Sequence, residues 1–213
     1  MSPAWSLAAA FIGYLLGSLP FGYVVARAHG VNIFKEGSGN PGATNVKRVL
    51  GEKFGVKGRR AGNLVFVLDA VKGAAAAAWP ALPFLHAPEA RLLGLIGVIA
   101  AVLGHSYSIF TKFKGGKGVA TAAGGLVVLM PVSCLIGALV WLATFALTRY
   151  VSLGSVLAAV AVPAASWLRG NPLPFNLVAT LLGLFVIVRH RENIRRLIAG
   201  TESKFAKKPP AQP

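Results

Sequence analysis

Residues 104–121 read GHSYSIFTKFKGGKGVAT, with one histidine, three lysines and four glycines placed between the apolar runs Leu92–Tyr107 and Val119–Met130. Ammonium groups neutralise phosphate, and glycine N–H groups approach an anion unobstructed. A helix starting at Val119 turns the positive end of its dipole to the same place. The plainer alternative is that Lys112, Lys114 and Lys117 merely flank a membrane span. On either reading, the stretch is a polar hinge between segments too apolar for anything but membrane.

Composition agrees. The 213 residues are 55% hydrophobic and 13% charged, with a mean hydropathy of +0.64, outside the range of an ordinary soluble domain. The net charge of +16 invites a nucleic-acid reading, but the 22 lysines and arginines lie in short pieces between apolar runs. That distribution fits anionic lipid and phosphate, not nucleic acid. Cys134 is the only cysteine, which excludes an intrachain disulfide and a cysteine-built metal site.

Seven apolar runs follow one another: Ala4–Ala28, Asn63–His86, Leu92–Tyr107, Val119–Met130, Val132–Leu147, Val151–Leu168 and Leu173–Val188. The first is long enough to cross a hydrocarbon core of roughly 30 Å, and without a basic leader or cleavage site it reads as a retained span. The expected fold is an all-α polytopic membrane protein, one domain over residues 1–203 with seven helices, followed by a disordered basic tail over 204–213. Val119–Met130 and Val132–Leu147 are short and separated by Pro131, so they read as two helices, one kinked helix or a re-entrant hairpin. Seven crossings put nineteen of the 22 basic residues on one side, whereas six divide them twelve against nine. The positive-inside rule favours the first, with the N-terminus outside and the C-terminus in the cytoplasm.

Three polar segments then share the cytoplasmic face. The first, Lys35–Arg60, contains GSGNPGATNVKR. Its Gly37, Gly39 and Gly42 match GxGxxG, but a dinucleotide fingerprint needs a βαβ unit and the flanks here are spans. The residues support a tight turn with Ser38, Asn40, Thr44 and Asn45 as short polar side chains, and Arg48 as a bidentate phosphate partner. The glycine stretch is the second segment. The third, Arg189–Glu202, reads RHRENIRRLIAGTE and places Arg189, His190 and Asn193 on one side of a continuing helix. Its cationic surround favours a neutral His190 imidazole.

Asp69 and Lys72 stand three residues apart inside the second run, so they share a helix face at membrane depth. Ionisable groups there are costly and usually paired, which leaves a structural ion pair or a substrate contact as the two readings. With six acidic residues and four scattered histidines, His29, His86, His105 and His190, no metal site is evident.

Taken together, GSGNPGATN with Arg48, LDAVKG, GHSYSIFTKFKGGKGVAT and RHRENIRRL resemble the bacterial acyl-phosphate:glycerol-3-phosphate acyltransferases, the PlsY family, from Gly17 to Glu202. A proline commonly stands in that family where this chain has Ser108, and Gly55–Arg60 is basic and slightly extended. The resemblance implies an enzyme of the bacterial inner membrane with its site on the cytoplasmic side. It would move a fatty acyl group from acyl phosphate to the sn-1 hydroxyl of glycerol 3-phosphate, giving lysophosphatidic acid and phosphate, and would ignore acyl-CoA and acyl carrier protein. It implies no cofactor, no metal and no nucleic acid, and a cytoplasmic enzyme that makes the acyl phosphate as a possible partner.

By matched motif positions, Ser38, Asn40, Thr44, Asn45, Arg48, Lys114, Lys117 and the backbone of Gly115, Gly116 and Gly118 would hold the phosphates. Arg189 and Asn193 would close the pocket, and Asp69 and Lys72 are counted with the substrate-binding residues. His190 and His105 are the candidate bases, with Ser38 and Asn193 also at the reacting groups. An acyl phosphate is already activated, so direct attack needs no covalent enzyme nucleophile, and a donor phosphate oxygen can take the hydroxyl proton. The alternative class is a membrane transporter or binder of an organic phosphate. Against it, the polar residues gather on one face and no internal repeat is seen.

Overall fold

The computed structural model describes residues 2–205, and all of its regular structure is helical. Helix α1 (Pro3–Ser18) starts with Pro3 in its first turn and a Ser2 cap, whose Oγ accepts the Trp5 N–H at 3.4 Å. The apolar run Ala4–Ala28 is not one unbroken helix. Pro20 has no N–H to give, so α1 stops and α2 (Phe21–Ala28) begins after it.

Helix α3 (Ala43–Ala78) is two helices meeting at Gly55, whose φ of 58° suits glycine. The arms fold back as a hairpin. A Cβ on Gly58 would lie 1.8 Å from the Leu50 carbonyl oxygen, and one on Gly62 2.3 Å from the Lys47 Cα. The basic stretch around Gly55 is therefore the apex of a helical hairpin, and the second helix starts upstream of Asn63.

Next come α4 (Ala90–Ser106), α5 (Val119–Leu129), α6 (Pro131–Thr148), α7 (Val151–Leu168), α8 (Leu173–Arg189) and α9 (Arg191–Ile198). Among the described residues five helical segments are long and apolar enough to cross a membrane, counting Pro3–Ala28 as one, and α8 with α9 makes a sixth if that bent pair is one span. Each of the seven apolar runs contains helix, but α5 has only 11 residues. At 1.5 Å per residue it is about 16 Å long, roughly half a hydrocarbon core. Met130 alone separates it from α6, which starts at Pro131, so this pair is two helices.

Small residues let the helices approach closely, as in other membrane bundles. A Cβ on Gly13 would sit 2.4 Å from the Gly97 oxygen, and one on Gly17 2.0 Å from the Ala101 oxygen, so α1 and α4 touch backbone to backbone. Gly73 and Gly124 do the same for α3 and α5. Two apolar clusters then position the polar segments. Val46, Val49, Leu50, Ile33, Ala26 and Val65 pack the first beside α2 and the hairpin. Val98, Val102, Leu126, Leu129, Phe175 and Leu182 bind α4, α5 and α8 beneath the glycine stretch.

Candidate active site

The loop before α3 is held by one residue. Asn45 is 3% exposed, and its Oδ1 accepts the Ser38 N–H at 3.0 Å and Arg48 Nη2 at 3.1 Å. Its Nδ2 donates to the carbonyls of Glu36 and Asn40, each at 3.0 Å. Every hydrogen-bonding position of the Asn45 amide is thus occupied by the protein, so it shapes the loop and aims Arg48. Asn40 Oδ1 caps the turn by accepting the Gly42 N–H at 2.8 Å. The Ser38 side chain is exposed and lines a cleft with Asn40, Lys114, Gly115 and Arg189, while Thr44 is exposed on the first turn of α3.

The glycine strand forms the floor of that cleft. The Gly116 N–H donates to the His105 carbonyl at 3.1 Å, and Arg189 Nη2 reaches the Gly116 oxygen at 2.8 Å and the Gly115 oxygen at 3.4 Å. The Arg189 guanidinium also stacks 5.2 Å from the Tyr107 ring centroid. Among the described residues no acceptor takes the N–H of Gly115, Lys117 or Gly118. Gly118, at φ 83°, opens α5, so these donors and the first turn of α5 lie together where an anion would be bound.

Helices α8 and α9 do not continue one another; they bend by 58° at His190. The bend brings His190 and Asn193 toward Lys117, which a straight helix with their spacing does not require. His190 Nδ1 lies 2.8 Å from the Val186 carbonyl, so that nitrogen carries the hydrogen and Nε2 is left as acceptor. Burial, then the nearby Lys117 ammonium, lowers its pKa to about 4.

Lys117 Nζ donates to Asn193 Oδ1, and Asn193 Nδ2 donates to Glu202 Oε1 at 2.6 Å. Arg196 Nε holds Glu202 Oε2 at 2.7 Å. Burial lowers the Lys117 pKa to about 8, with Arg196, Arg189 and Arg48 pushing the same way against Glu202. Burial disfavours the Glu202 charge, but hydrogen bonds from Asn193 and Arg196 outweigh it and keep the pKa below the usual value.

Glu202 is a site-building residue that motif reading does not single out. The available signal is the lone carboxylate in AGTE directly after a basic helix. Lys204 and Phe205, placed in the disordered tail by sequence, contact the α6–α7 turn: the Phe205 N–H donates to the Arg149 carbonyl at 3.0 Å. The rest of that tail, from residue 206, lies outside the described residues.

His105 does not join this group. Its Nδ1 is 3.6 Å from Asp69 Oδ1, and Lys72 Nζ is 2.6 Å from the same oxygen. Ser108, 2% exposed, donates from Oγ to the Ser18 carbonyl at 2.6 Å, one of the groups freed by the break before Pro20. Ser108→Ala should cost about 1–2 kcal/mol and lower the thermal midpoint by a few degrees. Ser108→Pro, compatible with the observed φ of −68°, should recover part of that through loop stiffness. Melting curves of the two purified variants check the order.

With the geometry in place, similarity to known proteins becomes informative. Residues 7–200 match the family model described as glycerol-3-phosphate acyltransferase. The Aquifex aeolicus protein of that name is 44% identical over 192 residues, covering 90% of this chain and 95% of that protein. A Synechococcus sp. (strain JA-3-3Ab) relative is 45% identical over 209 residues, with 97% of each chain covered. Among solved structures, PlsY, an integral membrane glycerol 3-phosphate acyltransferase, matches in its glycerol 3-phosphate form with a TM-score of 0.84 and 40% identity over 94% of this chain and 96% of that one. Its lysophosphatidic acid form matches with a TM-score of 0.81, 40% identity, and 94% and 95% coverage. The chain belongs to the glycerol-3-phosphate acyltransferase family.

Proposed function

We infer that this protein is a membrane-embedded glycerol-3-phosphate acyltransferase using acyl phosphate as donor, with its site on the cytoplasmic side of a bacterial inner membrane. The supporting observation is that Lys117 lies within electrostatic reach of Arg48 and Arg189, beside the unpaired N–H groups of the glycine strand. Both substrates carry phosphate, so a cationic cleft beside the lipid serves both. Ile109, Phe110 and Phe113 are exposed beside it and suit a long acyl chain remaining in lipid. The charge asymmetry supports an outside N-terminus, a cytoplasmic C-terminus and seven crossings with α5 counted.

In the reaction, the sn-1 hydroxyl oxygen attacks the acyl carbonyl, a new ester C–O bond forms, and the acyl–oxygen bond to phosphate breaks. Phosphate leaves into the cationic cleft, which stabilises its developing charge. His190, with a pKa of about 4, is a poor base at neutral pH. Phosphate monoesters have a second pKa of about 6, so a donor phosphate oxygen is the better proton acceptor, with His190 Nε2 orienting the hydroxyl. Ser38 and Asn193 stand at the cleft as further contacts.

Purified protein in lipid should release phosphate from palmitoyl phosphate only when glycerol 3-phosphate is present, with an equal yield of lysophosphatidic acid, and should not use palmitoyl-CoA. Uptake of labelled glycerol 3-phosphate into vesicles without product would instead support an organic-phosphate transporter.

A further inference from the structure

We propose that Asp69, Lys72 and His105 form a buried positioning relay that fixes the glycine strand against the break in α1. The inference rests on the acyltransferase reading and concerns groups to which that chemistry gives no step. The relay begins where Pro20 interrupts α1. The Leu19 carbonyl accepts Lys72 Nζ at 2.9 Å, Lys72 pairs with Asp69 Oδ1 at 2.6 Å, and His105 Nδ1 faces that oxygen at 3.6 Å. At the other end, a Cβ on Gly116 would lie 2.1 Å from His105 Nε2, and the His105 carbonyl takes the Gly116 N–H. The imidazole thus sits directly against the strand whose opposite side is gripped by Arg189.

Direct participation in the reaction does not fit the space available. The cavity that Asp69, Lys72 and His105 line measures about 20 Å³. That volume admits a water molecule and not glycerol 3-phosphate. Nor is stability a sufficient reason for the pair, because a buried ion pair gains little over apolar residues of the same shape. What the charges do provide is direction. Two carbonyls of the α1 break, Ser18 and Leu19, are tied to Ser108 and Lys72, so α1, α3, α4 and the glycine strand are held in one register. In metal sites, removing a group that orients a ligating residue from behind changes affinity by about 10–100-fold, and the same scale is expected of this relay.

The test uses the paired substitution Asp69→Leu with Lys72→Met, which removes both charges without stranding one, and separately His105→Asn. Wild type in the same lipid preparation establishes turnover, and calorimetric binding of glycerol 3-phosphate provides a readout independent of acyl transfer. The relay predicts folded variants whose KM and Kd for glycerol 3-phosphate rise about 10–100-fold while kcat stays within about threefold. Folded variants with unchanged KM and Kd would overturn it. A collapse of kcat at unchanged KM would also overturn it, by making the triad part of the chemistry. If the paired variant does not fold, His105→Asn alone decides by the same criteria. Failure of wild type to turn over while binding still follows the prediction would refute the acyltransferase reading and leave the relay standing.

Discussion

Lys117→Met should lower kcat/KM for glycerol 3-phosphate by about 10²–10³, equivalent to roughly 3–4 kcal/mol of lost stabilisation of transferring phosphate charge. Lys117 is bonded to Asn193, with Arg48, Arg189 and Arg196 near enough to act on its charge. Arg189 is committed to the carbonyls of Gly115 and Gly116, and Arg196 to Glu202. The same residue predicts a pH dependence. Its folded-state pKa of about 8 means that the ammonium is intact at pH 7 and is lost as pH rises through that value. Phosphate substrates are already dianionic there, so kcat/KM should fall above about pH 8 because of the enzyme. Lys117→Arg, charged throughout, should move that limb upward even if its plateau is lower. Steady-state rates between pH 6 and about pH 10 at fixed ionic strength check both statements.

The largest structural effect should come from Gly17→Val. The first added carbon would lie 2.0 Å from the Ala101 carbonyl oxygen, in a contact made by two backbones. Neither helix has a flexible tip that can move aside, and separating them would also break the approach of Gly13 to Gly97. Overpacking of side chains costs about 1–3 kcal/mol. A backbone clash inside a helix pair should exceed that, giving aggregated or absent protein in detergent and no turnover. Gly170→Ala is the control: its φ is 65° and nothing lies within 4 Å of the added carbon, so only about 1–2 kcal/mol of backbone strain is expected. Size-exclusion profiles and thermal midpoints separate the two outcomes.

Much of the architecture is legible in the apolar runs, because helices in lipid must satisfy their own backbone and long apolar stretches have few other forms. The breaks are harder to read. Ala4–Ala28 carries no charge before Arg27, and only the short sequence Gly17–Pro20 hints that the first span divides and exposes carbonyls at Ser18 and Leu19. The Gly55 hairpin hides for the opposite reason: its arms carry many charges, so the segment reads as a solvated loop until Gly58 and Gly62 are seen at the crossing. Residue types and motif order single out Arg48, Lys114, Lys117, Arg189, His190 and Asn193 as candidates; Lys114 and Arg189 line the cleft, while Lys117 meets Asn193 and lies near Arg48, Arg189 and His190. Their division of labour needs coordinates. Nothing in the letter sequence says that the Asn45 amide is fully occupied by its own loop, or that His105 faces Asp69. Glu202 reaches Asn193 through a turn and not through helical periodicity, so spacing arguments miss it.

Direct transfer within this cleft, without an acyl-enzyme, is the central claim, and rapid-quench kinetics test it most directly. Enzyme mixed with palmitoyl phosphate in the absence of glycerol 3-phosphate should show no stoichiometric burst of phosphate, and its intact mass should remain unchanged. Addition of glycerol 3-phosphate should then release phosphate and lysophosphatidic acid together. A burst equal to the enzyme concentration, with an acylated protein that glycerol 3-phosphate discharges, would contradict the account.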